Sequence, residues 1–156
     1  MTKLNKILKK IICILSIGGI LLCTTNAFAV ANVIKINGVE AEIPNGMGTI
    51  RESDDRTFVP LRFVSEFLKN TVWYDDETKT ACVSSEEQVI FAQNENSTLY
   101  VCSKVTGNST SIEMDTSAFI DAAEGRTYVP IRYLAEAMGY NVGWDEATQT
   151  VTLDKK

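Results

Sequence analysis

Glu66 and Glu136 stand 70 residues apart, and so do Asp75 and Asp145. Two facing carboxylates can hydrolyse a glycosidic bond, one as acid and the other as base or nucleophile. Most other catalytic chemistry is closed to this chain because it contains no histidine. Ser-His-Asp and Cys-His nucleophiles lose their base, and zinc sites lose a principal ligand. YDDET, Tyr74 to Thr78, and WDEAT, Trp144 to Thr148, are rich in oxygen ligands, but neither has the spacing of a calcium loop. The same carboxylates have a structural use that weighs more. Arg62 and Glu66 are four apart, as are Arg132 and Glu136, so each couple can pair on one helix face. Asp75 and Asp145 each open a turn, where an aspartate bonds its own backbone. Arg56 and Arg126 are expected to hold these turns.

The elements that must position these residues are written twice. RTFVPLRFVSEFL runs from Arg56 to Leu68, and RTYVPIRYLAEAM from Arg126 to Met138, a constant offset of 70. Each phrase opens with a short β-prone stretch. Pro60 and Pro130 then suit a first helical turn, where the missing N–H has no intrahelical use. Leu61, Val64 and Leu68 follow at helical spacing, as do Ile131, Leu134 and Met138. Gly139 is a natural helix stop; in the first phrase Asn70 is expected to take the left-handed cap after Lys69. A hairpin comes next, with Val142 and Trp144 inward in one copy and Val72 and Tyr74 in the other. Strands are expected at QVIFA, TLYVCSKV and SIEM, and a hairpin about Asn37-Gly38. The sum predicts an α+β fold, a small two-layer sandwich of short helices on antiparallel strands. Repeat one covers about 34–85 and repeat two about 97–154.

The N-terminus reads as a signal peptide over residues 1–29. It has four lysines, a short apolar run and the small-x-small site Ala27 to Ala29, with Ala31 as a second cleavage point. The apolar run is short of the ~20 residues that span a bilayer, so no membrane contact is expected after cleavage. The exported part keeps 11 basic and 20 acidic residues, a balance of −9. That charge repels phosphate backbones, which argues against nucleic acid as a partner. Of four cysteines only Cys82 and Cys102 remain. Alternation along their strands places both on the outward face, where they could close one bridge; two free thiols are the other outcome.

The two phrases, with the following E-A-x-G-x-x-V-x-W-D and T-x-T-V, resemble the copper amine oxidase N-terminal-like domain across about residues 34 to 153. Gly125, Gly139 and Trp144 follow the pattern, whereas the first phrase has Asp55, Lys69 and Tyr74 in those places. The resemblance implies a small α+β module of exported bacterial proteins, without catalytic residues and remote from any copper centre. Amine oxidation needs histidine ligands that this chain lacks, so no cofactor is expected. Arg56, Pro60, Arg62, Glu66, Asp75, Arg126, Pro130, Arg132, Glu136, Trp144 and Asp145 are then a structural motif. The expected function is binding, at the cell wall or to another exported protein. The alternatives are a carboxylate hydrolase of wall polysaccharide and a plain structural spacer.

Overall fold

Residues 33–156 are described by a computed structural model. The expected signal peptide, residues 1–29, lies outside the described residues. Asn37 and Gly38 both take positive φ, 50° and 77°, the turn whose twist suits a two-residue hairpin. They join β1 (Val33–Ile36) to β2 (Val39–Glu40). Next come β3 (Arg51–Ser53), β4 (Arg56–Pro60), α1 (Leu61–Phe67), β5 (Thr71–Asp75) and β6 (Thr80–Ser84). The middle segment supplies β7 (Gln88–Gln93), β8 (Thr98–Ser103) and β9 (Ser109–Glu113). The chain closes with β10 (Phe119–Asp121), β11 (Arg126–Pro130), α2 (Ile131–Ala137), β12 (Tyr140–Asp145) and β13 (Thr150–Lys155).

These strands form three sheets, in the orders β12-β13-β1-β2, β10-β11-β4-β3 and β5-β6-β7-β8-β9. The expected α+β two-layer sandwich is therefore corrected to a mostly β fold with two short helices. The reason is length. Each helix has seven residues, about 10 Å of rise, too little to cover a five-stranded sheet roughly 19 Å across. Both helices end because Lys69 and Gly139 turn left-handed, at φ 63° and 83°. Lys69, not Asn70, takes that conformation; the Asn70 N–H donates to the Ser65 carbonyl at 2.9 Å. Pro60 and Pro130 also sit one residue earlier than a first helical turn. Each ends its strand in extended geometry and caps the helix, with ψ 117° and 121°.

Not every strand pair is antiparallel. β1 lies parallel to β13, with Val33 opposite Thr150 and Ile36 opposite Leu153. At the centre, β4 pairs with β11 so that Val59 faces Val129. One core takes side chains from all three sheets and both helices, including Ile34, Val59, Val64, Ile90, Leu134 and Leu153. The helix faces are wider than the spacing predicts, because Phe63, Ser65 and Ala135 are buried as well.

Of the two outcomes open to Cys82 and Cys102, the described residues show the unbridged one. Both thiols are free. Cys82 on β6 stands opposite Phe91, and Cys102 on β8 stands opposite Val89, so β7 runs between them. Two strand spacings are about 9.6 Å, beyond the roughly 7 Å that a disulfide tolerates between Cα atoms.

Candidate functional site

The carboxylates singled out by spacing are engaged locally. Asp75 Oδ1 accepts from the Glu77 N–H at 2.9 Å and the Thr78 N–H at 3.3 Å. Asp145 Oδ1 accepts in the same way from Ala147 at 3.0 Å and Thr148 at 3.3 Å. The side-chain hydrogen bonds of Thr78 and Thr148, followed by these backbone donors, hold both carboxyls below the usual range. Arg62 donates to Glu66 at 3.2 Å. Arg132 and Glu136 have the same spacing but form no ion pair; Glu136 instead borders a hollow with Lys69, Gln88 and Lys155. Neither that hollow nor the two grooves along β5 and β12 hold two of the four carboxylates Glu66, Glu136, Asp75 and Asp145.

The arginines that were expected to hold the hairpin turns do otherwise. Arg56 donates through Nε to Asp115 Oδ2 at 2.8 Å, and its Nη2 contacts the same oxygen. That pairing keeps the Asp115 carboxyl deprotonated to lower pH than usual. Arg126 makes no side-chain hydrogen bond or ion pair among the described residues. The central β4–β11 pairing explains both placements. It directs each arginine toward the hairpin of the opposite phrase, so that Arg126 borders a groove with Lys79, and Arg56 one with Gln149.

An arginine that spacing did not single out ties the molecule together. Arg51 reaches Asp121 Oδ2 at 2.5 Å and Glu124 Oε1 at 2.7 Å, and lies 4.3 Å from the centroid of the Tyr128 ring. The Tyr128 hydroxyl donates to Glu124 at 2.6 Å and accepts from the Thr49 N–H at 3.2 Å. Gly48, at φ 97°, passes so close that a Cβ would fall 2.6 Å from that hydroxyl. Arg51 stands 70 or more residues from Asp121 and Glu124, so no local pattern in the sequence could announce these pairs.

Two grooves remain open, of about 720 and 600 Å³. The smaller is lined by Pro60, Leu61 and Arg62 of one corner, by Val72, Trp73 and Tyr74, and by Arg126. The larger is lined by Pro130, Ile131 and Arg132, by Val142, Gly143 and Trp144, and by Arg56. Position by position these residues are 70 apart. Trp144 was expected inward, but it is 45 % exposed. It lies near the tip of its hairpin, past the last part of β12 that touches the core, and forms a groove wall instead.

Both grooves touch three consecutive residues of one strand. Side chains alternate along a strand, so each groove takes in the strand's edge as well as the core-facing side, where it reaches Ala81 of β6 or Val151 of β13. Among the described residues, β5 and β12 are the outermost strands of their sheets, and half of their backbone groups have no strand there to pair with.

Among the described residues, no group of three or more His, Cys, Asp or Glu is placed to hold a metal ion. No described helix is long and apolar enough to cross a membrane. A family model described as "Copper amine oxidase N-terminal domain" matches residues 35–153, as a single copy. No curated protein and no solved structure matches the chain.

Proposed function

We propose, because the chain belongs to the copper amine oxidase N-terminal domain family, that it is exported and acts by binding a cell-wall component or another exported protein. The family is a usually non-catalytic module of the kind found in secreted proteins. One observation carries the reading from family to function. The acids that could have formed a catalytic pair are bonded to their own turns or to arginines, or are kept apart, while two edge-strand grooves walled by Trp73 and Trp144 stay open. A site built for hydrolysis from the repeated acids would place two of them across one groove, about 5 to 10 Å apart, and neither groove is lined by any of the four.

The two corners are read as copies of one unit, although the family model spans them once. Their strands have five residues each and their helices seven. Left-handed residues recur at the same places, Asp55 with Gly125, Lys69 with Gly139 and Lys79 with Gln149. Each copy alone would leave one face of its strand-to-helix corner uncovered; pairing β4 with β11 covers both.

The test uses the purified exported chain. Immobilised, it should retain a specific component from culture medium or from isolated cell walls, and it should release no reducing sugar from those walls. Sugar release that stops in Glu66→Gln or Glu136→Gln would overturn the reading in favour of a hydrolase.

A further inference from the structure

We propose that the groove along β5 binds an extended acidic segment of a partner protein as an added strand, its carboxylates held by Arg126, Lys79 and Arg62. This rests on the binding-module reading and names the chemistry of the partner.

The first support is the edge. β5 reads Thr-Val-Trp-Tyr-Asp, without the proline or lysine that commonly guards an outermost strand. Its backbone can hydrogen-bond to an incoming strand, the mode in which main-chain bonds supply affinity and alternate side chains supply specificity. A polysaccharide could stack on Trp73, which is 43 % exposed, but it would leave that row of amide donors and acceptors without strand-like partners.

The second support is charge. The groove is lined by three cations, Arg62, Lys79 and Arg126, and one acid, Asp76, in a chain whose exported part is strongly acidic. Internal pairing leaves this excess available. Arg126 has no ion pair among the described residues, Lys79 approaches Asp76 only to 4.0 Å, and Arg62 meets an exposed Glu66 at 3.2 Å. Exposed pairs of this kind are worth little and exchange readily. The groove along β12 has the opposite balance, with Glu52, Asp55 and Glu146 against Arg56 and Arg132, and Arg56 is already held by Asp115. An acidic strand is thus attracted to one edge and disfavoured at the other.

A random heptapeptide library displayed on phage, selected on the exported chain, tests this. The selected sequences should carry Asp or Glu at alternate positions. The chain contains two tryptophans, so a Trp144→Phe background leaves the emission of Trp73 to report binding of the synthesised peptide. Arg126→Gln and Lys79→Asn should each weaken that binding about tenfold with unchanged circular dichroism. Methylating alternate peptide nitrogens should weaken it at least as much, because side-chain attraction alone does not need those N–H groups. Selection of neutral or lysine-rich peptides, equal binding to Arg126→Gln and Lys79→Asn, or indifference to N-methylation overturns the proposal. So does polygalacturonate, an anionic glycan, if it alone elicits the Trp73 response. Specific capture from medium that persists in both variants, with no acidic peptide selected, would sink this assignment and leave the module reading standing. A chain that captures nothing would sink both.

Discussion

Val59 and Val129 lie directly opposite each other in the β4–β11 ladder, and neither exposes any surface. They are 70 residues apart in sequence, and the ladder joins the two strand-to-helix corners. Directly opposed residues in an antiparallel pair bring their Cβ atoms within about 5.5 Å. Val59→Ala and Val129→Ala should each cost about 2 kcal/mol of stability. The double variant should depart from additivity by at least about 0.5 kcal/mol, as touching core residues do. Denaturant unfolding of the four chains closes the cycle; strict additivity would mean the two side chains do not share one site.

Ser65 is fully buried, and its hydroxyl has no hydrogen-bond partner among the described residues. The residue 70 positions later is Ala135, equally buried in α2. Ser65→Ala should therefore stabilise the chain by about 1 kcal/mol, the desolvation cost of an unmatched hydroxyl. Ala135→Ser should destabilise by a similar amount. Thermal melts of both variants provide the check.

Stability should be flat between about pH 5 and 8, where histidine would titrate, because the chain contains none. Acid is different. The carboxyls of Asp75, Asp115 and Asp145 are held low in the folded chain by hydrogen bonds from Thr78, Arg56 and Thr148 respectively. A lowered native value gives stability that is complete above the unfolded value near 4 and is lost as pH falls through the native value. The melting temperature should thus decline below about pH 4, and Asp145→Asn should make that decline shallower while lowering the plateau.

The two thiols should behave differently. Cys82 is 3 % exposed, and burial raises the pKa of its thiol. Cys102 is half-buried beside Ser109, whose Oγ lies 3.2 Å away. An alkylating reagent should label Cys102 first and Cys82 only as the fold opens, since the thiolate is the reactive form. Mass spectrometry of non-reduced protein should show both thiols unpaired.

The corners, the hairpins and the turn aspartates were legible because each rests on a local pattern: a helical period, an alternation, an Asx turn. Which strands pair was not legible. Nothing in the periodicity of VIKI says that it lies parallel to TVTL, or that RTFV and RTYV meet each other. Parity along β12 placed Val142 against the core but failed two residues later at Trp144, because the core ends before the strand does. Arg51 was passed over because its partners Asp121 and Glu124 belong to the other half of the chain. The grooves escaped for the same reason, each being walled by both corners.

The parallel pairing of β1 with β13 has a mechanical consequence. A pull that enters at Val33 and leaves at Lys155 runs along the two strands in opposite directions, so it slides one past the other. The bonds between them, with Asn37 N–H to Leu153 O at 2.8 Å and Lys155 N–H to the Asn37 side chain at 2.9 Å, must then yield together. A hairpin such as β12–β13, drawn apart from its open end, would yield one bond at a time. Single-molecule extension from those two residues should therefore meet a sharp force peak before the core opens. A module tethered by both ends between a wall and a partner would carry load as a clasp in shear.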